Sequence, residues 1–228
     1  MNPDPNIGAV ERAMSELGDL ADELLLIGGC AVGLLVTDPG ATSVRATKDV
    51  DVRTEVTPLV NYYELCDRLK TRGFVEYQGD DVMCRWIKDG IMLDVVPTDG
   101  DILGFTNSWY QPAAKVPVIQ NLPSGTVVRI ISAPYFLATK LEAFASRGRG
   151  DYTHHDMEDI VTVVDGRESI VEEVLAGDDE LRGFLRDEFE ALLIESAFVD
   201  KLSWLLSPHE AVARQPILIE RMRRIAGL

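Results

Sequence analysis

The chain has 228 residues, of which 46% are hydrophobic and 26% are charged, as expected for a globular protein with one sizeable domain or two small ones. Its net charge of −16 excludes the densely basic surface that binds the nucleic-acid backbone without sequence preference. No apolar stretch approaches the roughly 20 residues needed to cross a bilayer. The first residues lack a signal-peptide pattern, and three widely separated cysteines indicate reduced thiols, so we expect a cytoplasmic protein without a membrane partner.

The first half of the chain alternates between predicted helices and strands. Hydrophobic residues at helical spacing predict a helix over 8–22, and the apolar run from Leu24 to Ile27 predicts a buried strand that stops at Gly28-Gly29. The clearest signal is a hairpin around Asp89-Gly90, a dipeptide suited to a tight two-residue turn. The other predicted elements are a short helix at 31–36, a strand at 50–53, a helix at 58–72 and the hairpin arms 82–88 and 91–96.

The second half changes character near residue 132. Frequent proline, glycine and polar residues predict an irregular connection over 97–125, with a short piece of structure around Trp109, and a β-branched run predicts a strand over 126–131. Ser132-Ala133-Pro134 then favours a helix start, and the pattern beyond it indicates helices only. We therefore predict two domains, a mixed α/β domain at 1–131 and a helical domain at 132–228.

Three carboxylates carry the chemistry that the sequence predicts. Asp49 and Asp51 alternate on a predicted strand, so they share one face and repel each other unless a cation lies between them. Asp94 is the one acid in the otherwise apolar strand 91–96, where it is either a third site residue or a solvent-facing acid at a sheet edge. Oxygen ligands of this kind suit Mg²⁺, with Mn²⁺ as the alternative ion. We predict that all three bind metal, or that Asp94 acts as a base.

Phosphate binding is the second chemistry that the sequence suggests. Gly28 and Gly29, between a strand and a helix, would let the backbone approach a triphosphate closely. Lys140, in a predicted helix, could neutralise the β- and γ-phosphates, although a surface lysine is the alternative. Asp156 and Asp159 share a helix face, where one could pair with Lys140 or Arg147, with a plain interhelical salt bridge as the alternative. The adjacent His154-His155 is interpreted as part of a helix start and not as a metal site.

Two motifs together resemble those of a known superfamily. The segment Ile27-Gly28-Gly29-Cys30-Ala31, followed by Arg45-x-Thr47-Lys48-Asp49-Val50-Asp51, resembles the signature of the DNA polymerase β-type nucleotidyltransferases. Its form is most similar to the AbiEii-like bacterial nucleotidyltransferases, the toxins of type IV toxin–antitoxin and abortive-infection systems. The segment from Phe136 through Lys140 to Asp156-x-x-Asp159 resembles theirs as well. Many superfamily members have serine after the first glycine of the turn, and Thr47 could supply the missing hydroxyl here.

The resemblance implies a fold, an activity and a set of residues. The fold would be α/β (α+β), with a nucleotidyltransferase-type mixed sheet, flanking helices and a helical C-terminal domain. The activity would be Mg²⁺-dependent transfer of a nucleoside monophosphate from an NTP such as ATP to a hydroxyl acceptor, here the 3′ end of tRNA, under control of an antitoxin. A small-molecule acceptor of the antibiotic type, or a non-catalytic module that binds a nucleotide or a partner, are the alternatives. The nucleotide-binding residues implied are Gly28, Gly29, Thr47, Lys48, Lys140, Asp156 and Asp159.

Overall fold

The computed structural model describes residues 4–54, 59–79, 84–97 and 107–228. Within these residues, strands form a seven-stranded mixed sheet in the order β3-β4-β5-β2-β1-β7-β6. Their bounds are β1 Leu24–Ile27, β2 Val50–Thr54, β3 Val75–Glu76, β4 Arg85–Lys88, β5 Ile91–Pro97, β6 Val118–Asn121 and β7 Val127–Ile130.

Helices connect the strands of this sheet and make up the C-terminal part of the chain. The side chain of Asp178 caps one of them by accepting a hydrogen bond from the Leu181 N–H at 2.9 Å, which satisfies an amide that the first helical turn leaves free. The α-helices are Ile7–Leu17, Val32–Leu35, Leu59–Thr71, Tyr110–Lys115, Ala133–Ala143, His155–Gly166, Ile170–Leu175, Asp179–Ile194, Ser196–Val199, Leu202–Leu205 and Ala211–Ala226. Tighter 3₁₀ turns span Gly18–Glu23 and Gly29–Ala31, and a π-helical turn spans Phe144–Gly148.

Strand β2 lies at the centre of the sheet and fixes the position of the Asp-x-Asp motif. It runs antiparallel to β1, with Ile27 opposite Asp51, and parallel to β5, with Asp51 opposite Asp94. All four residues of β1 are buried, as is usual for a strand covered on both faces. Asp51 and Asp94 therefore lie side by side on the neighbouring strands β2 and β5.

The hairpin of β4 and β5 has the predicted two-residue turn. Asp89 and Gly90 both take positive φ angles, +47° and +80°, as this turn type requires. Counting back from the turn, the register pairs Lys88 with Ile91 and continues until Arg85 lies opposite Asp94. The turn thus determines which side chain stands beside the buried acid of β5.

The described chain divides into two compact units. One contains the whole sheet and comprises Pro5–Ala31 and Ala46–Ser132. The other is helical and comprises Val32–Arg45 and Ala133–Leu228, together with Asp4. The predicted domains, 1–131 and 132–228, differ from these units in the placement of 32–45.

Hydrogen bonds within the helical unit explain the placement of the segment 32–45. The N–H groups of Thr37 and Asp38 both donate to the carbonyl of Gly166, at 2.9 and 2.8 Å. Arg214, on the last long helix, pairs with Asp38 and Asp165 at 2.7 Å each. Backbone and side-chain groups of this segment therefore both bind helices that come more than a hundred residues later in the chain.

The predicted fold class is confirmed: a mixed sheet with flanking helices is followed by a helical C-terminal region. The helix predicted over 8–22 ends earlier, at Leu17, because Gly18 adopts a φ of +57° and a 3₁₀ turn follows. The irregular connection predicted over 97–125 was wrong in one part, since β6 pairs with β7 there. Predicted residues 58, 82–83 and 98–106 lie outside the described residues. No helix in the described part of the chain has the length and apolarity of a membrane span.

Candidate active site

The candidate active site lies in the sheet unit, where β2 and β5 bring three carboxylates together. Asp49 directly precedes β2, Asp51 is its second residue, and Asp94 lies beside Asp51 on β5. Asp94 is only 8% exposed, so it is not a solvent-facing acid at a sheet edge. A buried carboxylate requires a compensating charge or strong hydrogen bonds. The identity of that partner decides whether the carboxylate is available to a metal ion.

Arg85 is the partner. Its Nε donates to Asp94 Oδ1 and its Nη2 to Asp94 Oδ2, both at 2.7 Å, which is the paired geometry favoured between guanidinium and carboxylate groups. The same Nη2 lies 2.6 Å from Asp49 Oδ2. These hydrogen bonds raise the pKa of Arg85 above its ordinary value, the contact with Asp94 contributing most. One guanidinium therefore bridges the two carboxylates that the sequence assigns to a metal.

Gly28 brings the turn after β1 against the second acid of the motif. Its φ of +68° lies in the left-handed region that favours glycine. A Cβ atom at this position would stand 2.1 Å from Asp51 Oδ2 and under 3 Å from two further atoms of that side chain. The turn and the carboxylate are thus in direct contact, and only a glycine permits it. Gly29 is buried beside it.

The remaining residues near the motif have modest roles in the described structure. Thr47 Oγ1 donates to Asp49 Oδ1 at 2.9 Å, and the Thr47 N–H donates to Asn6 Oδ1 at 2.8 Å, so this residue positions Asp49. Lys48 is exposed. The Cys30 thiol donates to the carbonyl of Ile27 at 3.2 Å, and burial raises its pKa well above the ordinary range. Cys30 is therefore a neutral packing residue.

A second charged cluster lies in the helical unit around Lys140. Its Nζ is 2.6 Å from Asp159 Oδ2 and 3.0 Å from Asp156 Oδ1, and the lysine is only 7% exposed. Arg147 makes two further hydrogen bonds of 2.7 Å to Asp156, and Arg45 lies 3.2 Å from Asp159. The predicted pairing of Lys140 with these acids is confirmed, and it is a buried pairing.

The ionisation of this cluster follows from its contacts. Burial alone would lower the pKa of Lys140, but the charges of Asp159 and Asp156 outweigh it and raise the pKa. Burial alone would raise the pKa of Asp156, but Arg147 and Lys140 together hold it well below its ordinary value. Lys140 and Asp156 are therefore both charged at neutral pH. Their predicted contacts with a nucleotide remain a prediction.

Possible metal ligands also lie close together in the helical unit. Within the described residues, the group of three whose ligand atoms all lie within 4.8 Å of one another is His154, His155 and Asp156. Arg147 and Lys140 already take both oxygens of Asp156. The helix start predicted here is present, and His154 caps the helix that begins at His155. This group is therefore better explained as a helix start than as a metal site.

The carboxylates of the sheet unit fit a metal by their chemistry, and Arg85 lies between two of them. Asp49, Asp51 and Asp94 offer only oxygen atoms, the ligands that Mg²⁺ prefers. Because a single nitrogen of Arg85 contacts oxygens of both Asp49 and Asp94, those oxygens are separated by no more than its two contact distances combined. A small movement of the carboxylates would suffice for one ion to reach both.

Arg85 is the site residue that sequence reasoning missed, although a signal was present. The Asp89-Gly90 turn sets the register of the hairpin, and counting outward from it places Arg85 directly opposite Asp94. Opposite charges in a cross-strand pair stabilise each other. Counting the register from the predicted turn would have identified the pair.

Comparisons with known proteins bear on the fold. No protein-family model matches the sequence, and no curated protein matches it significantly. Among solved structures, an antigenic nucleotidyltransferase-like protein from Paracoccidioides brasiliensis superposes with a TM-score of 0.52 at 19% identity, over 83% of this chain and 89% of that one. This likeness shows a nucleotidyltransferase-like fold.

Two other similar structures have TM-scores below 0.5, too low to support an argument. The antibiotic-resistance factor ANT(2'')-Ia has a TM-score of 0.47 at 15% identity, over 82% of this chain and 94% of that one. A candidate nucleotidyltransferase from H. pylori has a TM-score of 0.48 at 14% identity, over 100% of this chain and 96% of that one.

Proposed function

We propose that the protein is a Mg²⁺-dependent nucleotidyltransferase that transfers a nucleoside monophosphate from an NTP to a hydroxyl acceptor. The observation that carries the proposal is the row formed by Asp51 on β2 and Asp94 on β5, with Gly28 pressed against Asp51. A nucleotidyltransferase-like fold supplies the context. Paired carboxylates on neighbouring strands next to a glycine turn are what a metal–triphosphate complex requires.

Each residue of the site has a distinct part in this chemistry. Asp49 and Asp51 would hold the metal, and Asp94 would either hold it or accept the proton of the incoming hydroxyl. A bound Mg²⁺ would neutralise charge on the phosphates of the NTP. Thr47 keeps Asp49 oriented through its hydroxyl. Gly28 keeps the turn close to Asp51 because no Cβ separates them.

Lys140 would contribute to nucleotide binding through the donor capacity that its contacts leave. Asp156 and Asp159 each accept one hydrogen bond from its Nζ, which carries three N–H donors, so a phosphate could be contacted without loss of either bond. We propose that the two acids hold Lys140 charged and oriented, in line with the role that the motif resemblance implies. Removal of either acid would then alter nucleotide affinity and not merely stability.

The acceptor is proposed from the resemblance to the AbiEii-like enzymes. We propose the 3′ end of tRNA, with growth arrest as the cellular outcome, a cytoplasmic location and an antitoxin as the controlling partner. The net charge of −16 requires that any RNA meet a local basic surface and not the average surface of the protein. A small-molecule acceptor would predict drug resistance in place of growth arrest on induction of the gene.

The test is a transfer assay with matched variants. The purified protein is incubated with Mg²⁺, each labelled NTP in turn and total RNA or candidate small molecules, and the labelled product is identified. We expect transfer by the wild type and a loss of at least about a hundredfold in Asp51→Asn, because an amide is a poor substitute for a charged ligand. We expect no loss in Asp67→Asn, which changes an exposed acid on the helix Leu59–Thr71. Full transfer by folded Asp51→Asn would contradict the proposal.

A second candidate function is favoured by one observation. Arg85 already neutralises Asp49 and Asp94, as a permanent structural ion pair would in a non-catalytic module that binds a nucleotide or a partner. The two functions differ in their metal requirement. Calorimetry with Mg²⁺–NTP and with NTP plus EDTA separates them, because the non-catalytic module would bind both equally or neither.

A further inference from the structure

We propose that Arg85 is a displaceable counter-cation, which holds the site carboxylates in the absence of substrate and moves onto the triphosphate when a metal–nucleotide complex binds. This inference rests on the proposed function and goes beyond it by assigning an order of binding. The metal site would form only in the presence of nucleotide. Arg85 would then be a positioning and specificity residue of the nucleotide site.

The first argument is that Arg85 and a metal would use the same oxygen atoms. Both oxygens of Asp94 and one oxygen of Asp49 accept hydrogen bonds from Arg85 at 2.6 to 2.7 Å. Thr47 takes the other oxygen of Asp49. A Mg²⁺ ion requires ligand oxygens at about 2.0 to 2.1 Å, so it would stand close to the guanidinium and be repelled by it. Metal entry and the Arg85 contacts therefore oppose each other.

The second argument concerns the arrangement of the ligands. Asp49, Asp51 and Asp94 are not among the groups whose ligand atoms all come within 4.8 Å in the described residues. Arg85 fills the space between two of them, and its side chain is only 16% exposed. The carboxylates are thus spaced for a planar guanidinium. A divalent ion would need them to converge, which becomes possible only when Arg85 withdraws.

The third argument is that a triphosphate offers Arg85 an equivalent partner. A guanidinium matches phosphate oxygens with the same two-pronged geometry that it uses for carboxylates. A site that holds three carboxylates and a bound triphosphate needs both the metal and an additional cation. Arg85 stands within the site and carries that charge. Transfer of the guanidinium from carboxylate to phosphate therefore conserves its hydrogen bonds while the carboxylates are released to the metal.

The backbone next to Arg85 also has an unusual conformation. Cys84 is a non-glycine residue with a φ of +69°, and such conformations cost roughly 1 to 3 kcal/mol. Its carbonyl accepts a hydrogen bond from the Val95 N–H at 2.9 Å, and its sulfur accepts one from the Tyr62 hydroxyl at 2.9 Å. Strain of this kind clusters at functional sites. Here it lies at the residue directly before Arg85, at the start of β4.

The test measures metal binding apart from catalysis. Mn²⁺ binding to the nucleotide-free protein is followed by electron paramagnetic resonance for the wild type, Arg85→Gln and Arg68→Gln. Arg68 is the matched control, because it is an arginine of the same unit that pairs with exposed Glu23. We expect Arg85→Gln to bind Mn²⁺ at least about tenfold more tightly than the wild type, as loss of a competing charged hydrogen bond implies, and Arg68→Gln to match the wild type.

The outcomes separate this inference from the proposed function. We expect the wild type to bind Mn²⁺ strongly only when a non-hydrolysable ATP analogue is added, and the Arg85 Nε–H resonance in ¹⁵N spectra to shift at the same step. Equal nucleotide-free Mn²⁺ affinity in the wild type and Arg85→Gln would overturn the inference and leave the proposed function intact. Absence of Mn²⁺ binding in every protein, with and without nucleotide, would overturn both. If Arg85→Gln does not fold, Arg85→Lys takes its place, with the same expected direction because a lysine cannot span both acids.

Discussion

Replacement of Gly28 by alanine is expected to disturb the site through two separable effects. The first is backbone strain, because alanine at a φ of +68° costs roughly 1 to 2 kcal/mol. The second is a collision, since the new Cβ would stand 2.1, 2.7 and 2.8 Å from the Oδ2, Cγ and Cβ atoms of Asp51. The collision includes the root of the side chain, so rotation of the carboxylate alone cannot relieve it. Forcing Asp51 from its rotamer adds about 0.5 to 1.5 kcal/mol.

Gly90→Ala is the matched control for this prediction. Gly90 has a similar φ of +80°, yet nothing lies within 4 Å of the position its Cβ would take. We expect Gly28→Ala to lose about 2 to 3 kcal/mol of unfolding free energy, which lowers the melting temperature by roughly 4 to 12 °C. Gly90→Ala should lose only the backbone part, about 1 to 2 kcal/mol.

The assay is urea unfolding followed by tryptophan fluorescence, together with Mn²⁺–nucleotide binding. Equal slopes of free energy against urea would show that both variants unfold as the wild type does. Gly90→Ala should retain wild-type nucleotide binding, whereas Gly28→Ala should weaken it at least about tenfold by displacing Asp51. The reasoning is refuted if the two variants lose the same stability and bind the nucleotide equally well.

Two further predictions concern buried charges. The folded-state pKa of Asp156 is held below its ordinary value of 3.8, so the stability that this carboxylate contributes is present above about pH 4 and is lost as the pH falls below that value toward the lowered pKa. The unfolding free energy of the wild type should therefore fall more steeply on acidification than that of Asp156→Asn. Parallel curves of unfolding free energy against pH would contradict this. Arg53 is 3% exposed and its guanidinium carbon lies 3.3 Å from the centre of the Tyr110 ring. Tyr110→Leu should cost about 1 kcal/mol or more in urea unfolding and Tyr110→Phe less, and equal losses would exclude a contribution from the ring face.

Much of the site could be predicted from the sequence because its signals are local. Asp49 and Asp51 alternate on a short strand, and the apolar neighbours of Asp94 mark it as an acid that needs a partner. Gly28 marks a turn that only glycine can make. The lateral order of β2 and β5 is not a local property, so the pairing of Asp51 with Asp94 became visible only in the folded sheet.

Other features were hidden because no local sequence pattern marks them. Strand β6 includes exposed Val118 and Ile119, so it shows no alternation between buried and exposed positions, and only its pairing with β7 defines it. Arg45 forms an ion pair with Asp159, more than a hundred residues later, and no local pattern links the two. Arg85 differs from both, since a register counted from the turn would have found it.

The path of the chain between the two units limits how this fold can be divided or exchanged. The helical unit contains the internal stretch Val32–Arg45, so a cut after residue 131 would leave the C-terminal fragment without part of its own core, whereas the sheet unit would lose only Ser132. The hydrogen bonds from this stretch to Gly166 and Asp165 close a loop of more than a hundred residues. The entropy cost of closing a loop grows only slowly with its length, but the chain must meet that cost before these contacts form. The helical unit can therefore be completed only after the whole sheet unit, which ends at Ser132, has been synthesised. An exchange of the helical unit for another domain would have to include that internal stretch as well as the C-terminal helices.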